Sequence, residues 1–369
     1  MTAIHRSDPV TLASMTTTMA RPGLETSLLE SAYAVVADGV ASGALASGVL
    51  AVATSDEVVR LEAFGPVATD SIFLIASITK PIFATSLMRL VERGHLLLNE
   101  PVARHVPEFA ANGKQDVRLW HMLTHTSGLD EAFVMQAPGN ELWDRSSYLK
   151  RTCAAPLQFL PGSRYSYCNP PFVVMADMIQ RLTGTDHASF VRQAVLEPLG
   201  MRDTSFTPPN SARVVPVLDP PWRDEQEQAG WIGFQNPAGG LWSTAGDLVR
   251  FGQMLLHDGE LDDYRVLAPA TLRAMSTLQT AGIPAITGAG EFVSYYGLGF
   301  SKAGPDSDRG PSAELRSPAG FGHGGATGTY LWVEPEFDLV FVFLTNRWTQ
   351  EDTTLKRALN ATIAAASTS

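Results

Sequence analysis

Ser77-Ile78-Thr79-Lys80 sets a hydroxyl and an amine three residues apart, where the apolar run Ile72-Phe73-Leu74-Ile75-Ala76 passes into a helix-forming stretch. Residues i and i+3 share a helix face, so Ser77 Oγ and Lys80 Nζ can meet. The free N–H groups of a helix start add positive potential where an oxyanion would form. A serine nucleophile can thus be built without histidine, provided the lysine loses its proton. Its pKa must then fall from about 10.4 toward 7, about 4 to 5 kcal/mol of differential solvation and charge interaction. Pro81 is tolerated in a first turn. Ile82, Phe83, Leu87, Leu90 and Val91, at helical spacing up to Gly94, predict a largely buried helix that supplies the desolvation. An N-cap serine followed by a first-turn surface lysine has the same spacing, and the motif alone does not separate the two.

The chain carries the pattern a second time, in Ser147-Tyr148-Leu149-Lys150, although its only lysines are Lys80, Lys114, Lys150, Lys302 and Lys356. Asp144, Arg145, Ser146 and Arg151 surround that copy, and a lysine in so polar a setting stays hydrated and protonated. It reads as a solvated helix face.

Two further segments carry polar groups suited to acyl chemistry. Tyr167-Cys168-Asn169 is the only Tyr-x-Asn and precedes a helical run, Phe172 to Leu182. A tyrosine can relay a proton to a leaving group, and an asparagine can hold Lys80 or a substrate carbonyl. Taken singly, Tyr167 also fits a half-buried core phenol and Asn169 a helix cap before Pro170. Gly322-His323-Gly324-Gly325-Ala326-Thr327-Gly328 leads into a strand, where glycines permit close approach to the backbone and an N–H can complete an oxyanion hole. A Gly-rich turn with a surface histidine fits the same residues.

The elements that must position these groups divide by region. Residues 26 to 43 form a helical pattern, and Gly48 to Ala53 and Val58 to Phe64 read as strands joined at Ser55-Asp56. From Leu98 to Pro237 helical segments such as 115 to 124 and 170 to 183 alternate with Gly/Pro loops. Pro208 to Trp222, followed by the acidic Asp224 to Glu227, reads as a long surface loop. Tyr295 to Ser301, Thr329 to Val333 and Leu339 to Thr345 read as strands, and Glu351 to Ala365 as a closing helix. The prediction is an α/β (α+β) fold: an antiparallel sheet flanked by N- and C-terminal helices, with an all-helical insert. Residues 20–97 and 238–369 would form the α/β domain, 98–237 the helical domain, and the active site their interface.

Composition narrows the partners. A chain of 369 residues, 45% apolar and 18% charged, can bury a large core. Its net charge of −11 and lack of a basic run give no footprint for nucleic acid or an anionic membrane. No apolar run reaches membrane-spanning length. Met1 to Ala20 lacks the apolar core of a secretory signal, and two cysteines, Cys153 and Cys168, are too few for a disulfide framework. A cytoplasmic protein acting on a small molecule is the expectation; oligomeric state is not legible.

Together the three segments resemble the serine β-lactamase and penicillin-binding-protein superfamily, whose elements are Ser-x-x-Lys, Tyr-x-Asn and Lys-Thr-Gly. Ser77, Tyr167 and His323 follow one another as in its class C branch, closest to the family VIII carboxylesterases. Leu119-Trp120-His121-Met122-Leu123-Thr124-His125-Thr126-Ser127-Gly128-Leu129 and Gly239-Gly240-Leu241-Trp242-Ser243-Thr244-Ala245-Gly246-Asp247-Leu248 look like signature segments of the same family. The resemblance spans roughly residues 25 to 365 and implies a β-lactamase/transpeptidase-like fold. It makes Ser77 the nucleophile, Lys80 its base and Tyr167 the residue that shuttles the proton to the leaving group. Asn169 would orient Lys80 or substrate, and the N–H groups of Ser77 and Ala326 would form the oxyanion hole. His323, Gly324 and Gly325 would contact substrate.

One departure matters. The third element reads His323-Gly324-Gly325, and a neutral histidine grips a carboxylate less well than the family lysine and threonine. Hydrolysis of short-chain carboxylic esters through an acyl-enzyme on Ser77 is therefore expected above β-lactam or DD-peptide hydrolysis. Acyl transfer to an alcohol shares the same intermediate, and a non-catalytic binding module is a further alternative. No cofactor or metal is expected: His121 and His125 lack the glutamate and third ligand of a zinc site and read as hydrogen bonding within a helix end. Gly-x-Ser-x-Gly is absent from the sequence, and no Gly-x-Gly-x-x-Gly follows a predicted strand as a nicotinamide site would need. Trp222, Trp231, Phe234 and Trp242 read as core aromatics.

Overall fold

A computed structural model describes residues 24–136, 142–287, 290–304, 314–350 and 353–368. The Met1 to Ala20 segment, residues 20–23 of the expected first domain and residues 351–352 of the closing helix lie outside the described residues. Apolar alternation sets the strands. In β1 (Gly48–Ala53) every residue is buried, and side chains of successive residues enter opposite cores. Leu50 and Val52 pack with Leu29, Tyr33 and Val36 of α1 (Thr26–Ala41) and with Leu359 and Ile363 of α11 (Thr353–Ser367). Val49, Ala51 and Ala53 face the larger core.

β1 pairs with β2 (Val58–Phe64) on one side and with β12 (Leu339–Leu344) on the other, Ala51 opposite Val342. The antiparallel sheet runs β2-β1-β12-β11-β10-β9, with β11 at Tyr330–Glu334, β10 at Phe321–Gly324 and β9 at Ser301–Lys302. β3 (Phe73–Leu74) and β4 (Trp242–Ser243) form a separate ribbon. β5 (Glu260–Leu261) pairs with β6 (Tyr264–Arg265), and β7 (Pro284–Thr287) with β8 (Gly290–Val293).

On the larger-core face lies α2 (Thr79–Glu92), buried on all sides from Thr79 to Met88. Such a helix belongs to the centre of a domain. Residues 98–237 supply α3 (Leu119–Leu123), α4 (Glu131–Met135), α5 (Arg145–Ala154), α6 (Pro170–Thr183), α7 (His187–Val191) and α8 (Glu225–Phe234). The described residues of this stretch contribute isolated bridges but no strand of the sheet. Phe83 of α2 meets Phe172 of α6 at a ring separation of 5.8 Å, which fixes the start of one helix against the start of the other. Truncating either ring would cost about 3 to 5 kcal/mol. α9 (Ala245–Leu256) and α10 (Pro269–Ser276) complete the helical set. No helix among the described residues is long and apolar enough to cross a membrane.

Three sequence expectations are corrected. Tyr295–Ser301 is not a strand; Gly299 has φ +84° and abuts Ala84 of α2, so this segment packs on the helix, Tyr296 makes an isolated bridge to Ser301, and only Ser301–Lys302 joins the sheet. The helix expected at 115–124 is confined to Leu119–Leu123 and is followed by His125 at φ 56°. Asp224–Glu227 is not loop: Asp224 caps α8 by accepting the Glu227 N–H at 2.8 Å.

α9 touches the sheet through Gly252, where an added Cβ would collide with the branched Val340 side chain. Gly252→Ala is expected to destabilise by about 1 to 3 kcal/mol, with partial recovery in the Gly252→Ala/Val340→Ala pair. Gly233→Ala, in α8 with open space around it, is expected to stabilise by about 0.5 to 1 kcal/mol. Thermal unfolding of the four proteins checks both signs.

Candidate active site

Ser77 lies in a 3₁₀ turn, Ala76–Ile78, immediately before α2, rather than on the α-helix itself. Ala76 holds φ 44°, a left-handed conformation that costs an L-residue about 1 to 2 kcal/mol. The bend lets the chain turn from β3 into α2 with Ser77 half-buried and its neighbours Ala76 and Ile78 buried. Ser77 lines a cavity of about 540 Å³ together with Tyr165, Tyr167, Tyr296, His323 and the Gly324–Ala326 backbone.

Lys80 is completely buried, and its Nζ has three oxygen neighbours: Asn169 Oδ1 at 2.7 Å, the Ala238 carbonyl at 2.9 Å and Ser77 Oγ at 3.1 Å. Burial lowers its pKa to about 7, against the opposing pull of Glu131 and Cys168. The partners also fix the amine's geometry. Asn169 Nδ2 donates to Glu131 Oε1 at 2.8 Å and its backbone N–H to Oε2 at 3.3 Å. Only the amide oxygen is left to face Lys80. Asn169 Oδ1 and Ala238 O accept but cannot donate, so they take both hydrogens of a neutral amine. The lone pair then points at Ser77 Oγ, the geometry of a general base.

Local sequence explains the placement of these partners. Asn169 occupies the N-cap position of α6, ahead of Pro170 and Pro171, but its side chain makes no capping bond. The prolines carry no N–H to cap, so the amide is left to Lys80 and Glu131. Ala238 reaches the site because the β3–β4 ribbon carries residues 238–241 past the nucleophile turn, with Ile75 N–H donating to Leu241 O at 2.9 Å. Tyr167 is 38% exposed and presents its ring face 4.7 Å from Lys80 Nζ.

The Gly-rich turn is fastened to the same bend. Thr327 Oγ1 donates to Leu74 O at 2.7 Å and Thr329 Oγ1 to Ile75 O at 3.1 Å. Gly325 lies where an added Cβ would collide with the Ile75 carbonyl and the Thr329 hydroxyl. That glycine admits another stretch of backbone, and with it Ala326 is brought to the cavity that Ser77 lines. The β9 ladder covers only Phe321 and Gly322 and stops before His323. His323 is 4% exposed, with Nε2 2.9 Å from the Tyr296 hydroxyl.

The structure therefore brings Ser77, Lys80, Tyr167, Asn169, His323, Gly324, Gly325 and Ala326 to one place. It leaves Lys150 exposed on α5, away from this cluster. Trp222, Trp231 and Trp242 form a separate core with Trp143 and Trp348, and Phe234 meets Tyr148 in a tilted pair at 5.2 Å. His125 is corrected: it does not bond within a helix end but accepts the Cys168 N–H at Nδ1, 3.1 Å, while Nε2 faces Tyr296 at 3.2 Å. His121 does bond locally, accepting the Arg118 N–H at 3.0 Å. Sequence reasoning missed Glu131 and Tyr296 as partners, and the Ala238 carbonyl has no side chain to signal it. A carboxylate three residues past Gly128, at the end of a signature segment, was the available sign of Glu131.

Glu131 opposes the effect of burial on the amine. Its carboxylate favours the Lys80 ammonium, so Glu131→Gln is expected to lower the Lys80 pKa further. The rate of Ser77 labelling by a fluorophosphonate should rise with pH through about 7 in the native protein. In Glu131→Gln that limb should move down by about 0.5 to 1 pH unit; an unmoved limb would refute the coupling.

The Beta-lactamase family model matches residues 33–366. Protein Rv1367c of Mycobacterium tuberculosis is 31% identical over 327 residues, 77% of this chain and 79% of that protein. Esterase EstB of Burkholderia gladioli is 38% identical over 176 residues, 43% of this chain and 44% of EstB. The crystal structure of a penicillin-binding-protein homologue from Caulobacter crescentus superposes with a TM-score of 0.77 at 22% identity, covering 93% of this chain and 99% of that one.

Proposed function

The chain belongs to the Beta-lactamase family, and from that premise we propose that it hydrolyses short-chain carboxylic esters through an acyl-enzyme on Ser77. The observation that carries this reading is the Lys80 amine, buried, lowered to about 7 and 3.1 Å from Ser77 Oγ. Neutral Lys80 takes the Ser77 proton as Oγ bonds to the ester carbonyl carbon. The tetrahedral oxyanion is received by the N–H groups of Ser77 and Ala326. Tyr167, its ring against Lys80, gives its hydroxyl proton to the departing alkoxide as the C–O bond breaks and regains the one that Lys80 took from Ser77. Water, deprotonated by the same pair, then attacks the acyl-enzyme and frees the acid and Ser77.

His323-Gly324-Gly325 in the place of Lys-Thr-Gly supports esters over β-lactams, because the anchoring ammonium for a carboxylate is missing there. The 38% identity to EstB, named an esterase, supports the same ranking. The reading also divides the chain: Ser77, Ala238 and Ala326 come from an α/β domain of residues 20–97 and 238–369, Tyr167 and Asn169 from a helical domain of 98–237, and the site lies between them.

Short-chain nitrophenyl esters and a chromogenic cephalosporin, assayed side by side, test the proposal. Ester turnover should exceed cephalosporin turnover and fall by about a thousandfold or more in Ser77→Ala. Faster cephalosporin turnover would reverse the ranking, and labelling that survives Ser77→Ala but vanishes in Ser147→Ala would move the nucleophile.

A further inference from the structure

Cys168 N–H, His125, Tyr296, His323 and the Gly324 carbonyl form one continuous line of hydrogen bonds, of 3.1, 3.2, 2.9 and 2.6 Å in that order. Its direction is set at both ends. A backbone N–H can only donate, so His125 Nδ1 must carry a lone pair and its hydrogen must lie on Nε2. A backbone carbonyl can only accept, so His323 Nδ1 must carry a hydrogen. Between the two rings Tyr296 accepts from His125 and gives its single hydrogen to His323 Nε2. Each bond then has one donor and one acceptor.

A proton added to His323 Nε2 breaks this order. Two N–H groups would face the Tyr296 oxygen, and the tyrosine hydrogen would be left without an acceptor on a residue 1% exposed. Losing such a partner in a buried site is strongly disfavoured, because no water is there to replace it. The charges around the ring add to the penalty. Lys80 lies across Tyr167, whose ring is 6.0 Å from that of His323. Lys302, bonded to Ala319 O at 3.1 Å, lines the same cavity, whereas Arg316 stands over Trp332 on the other face of the sheet. Tyr296, which also lines it, adds no opposing charge, because burial holds its phenol well above the usual range.

We propose that Tyr296, backed by His125, is a specificity-determining positioning residue that locks His323 as a neutral imidazole, so this wall accepts the uncharged part of an ester and offers no cation to a carboxylate. The substrate class rests on the ester reading above; the hydrogen-bond line does not depend on it.

Nitrogen NMR of the histidine rings in the whole protein tests the lock without turnover, with His323→Asn assigning the signal. Between about pH 5.5 and about 7.5, His323 should show one protonated Nδ1 and one bare Nε2 and should not titrate. A titrating His323, or one protonated at Nε2, overturns the proposal. The kinetic arm compares kcat/KM for nitrophenyl butyrate and for mono-nitrophenyl succinate, which carries a free carboxylate. Lys80 titrates in both reactions and cancels in their ratio, and the window ends below the value of about 8 to which burial lowers Lys302. The native ratio should stay flat. A rise in relative succinate turnover as pH falls would mean that His323 charges, and would overturn the lock.

In Tyr296→Phe the His323 signal should move toward mixed tautomers, and the succinate ratio should climb by about threefold to tenfold toward the acid end. An unchanged spectrum or a flat ratio in that variant removes Tyr296 from the role. If the variant does not fold, the native spectrum and ratio decide. Absence of any ester turnover would instead count against the ester reading, with the spectrum still deciding the lock.

Discussion

The amine of Lys80 has more claims on it than it has hydrogens once it is neutral, and the site depends on that shortage. Two oxygens that can only accept hold it from one side, so what remains for Ser77 is a lone pair. The arrangement needs three separate parts of the chain: Glu131 to turn the Asn169 amide, the β3–β4 ribbon to deliver Ala238, and the start of α2 to carry the lysine. Moving the pKa from 10.5 to about 7 represents about 5 kcal/mol. The fold supplies this through burial. Because the folded pKa is the lower one, the unfolded chain binds the proton more tightly between those values, and native stability rises with pH across that window. A site that works near neutrality is thus obtained at the expense of stability there.

The sequence was most legible where local pattern decides structure. Gly48–Ala53 and Val58–Phe64 fall at the boundaries expected from apolar residues and an intervening turn, and α6 covers the expected 170–183. It was least legible where backbone packs on backbone. Tyr295–Ser301 has strand-like residues at its ends, but Gly297 abuts the Met275 carbonyl and Gly299 abuts Ala84, contacts that no propensity scale contains. In the site, the Ser-x-x-Lys, Tyr-x-Asn and His-Gly-Gly segments were visible because their reactive groups are side chains at short spacing. Glu131, His125 and Tyr296 act through partners distant in sequence, and spacing alone could not pair them.

The Gly-rich turn shows how one residue type served two readings. Glycine at a strand end was expected to admit substrate, yet Gly325 admits the chain itself, at Ile75. Thr327 and Thr329 then bond the carbonyls just ahead of the nucleophile bend. In the proposed mechanism the two N–H groups offered to an oxyanion would then be held by the resting fold, with no closure around a ligand. Pre-arranged donors of this kind avoid reorganisation during reaction. The Pro208–Trp222 segment backs this fastening: Ile72 bonds Arg213 and Val215, Leu218 bonds Asn346 and Trp348, and the neighbouring Thr349 N–H bonds the Ala326 carbonyl at 2.7 Å.

The sheet joins the chain's beginning to its end. β1 pairs with β12, and the Glu25 N–H bonds the Ala365 carbonyl at 3.0 Å. Contacts of such long sequence separation form late and slow the search for the native state. During synthesis the Ser77 turn and α2 emerge from the ribosome well before the strands that will cover them. Until that packing forms, water can reach the lysine and keep it charged. The lowered pKa thus belongs to the folded chain as a whole, not to the short segment that carries the lysine.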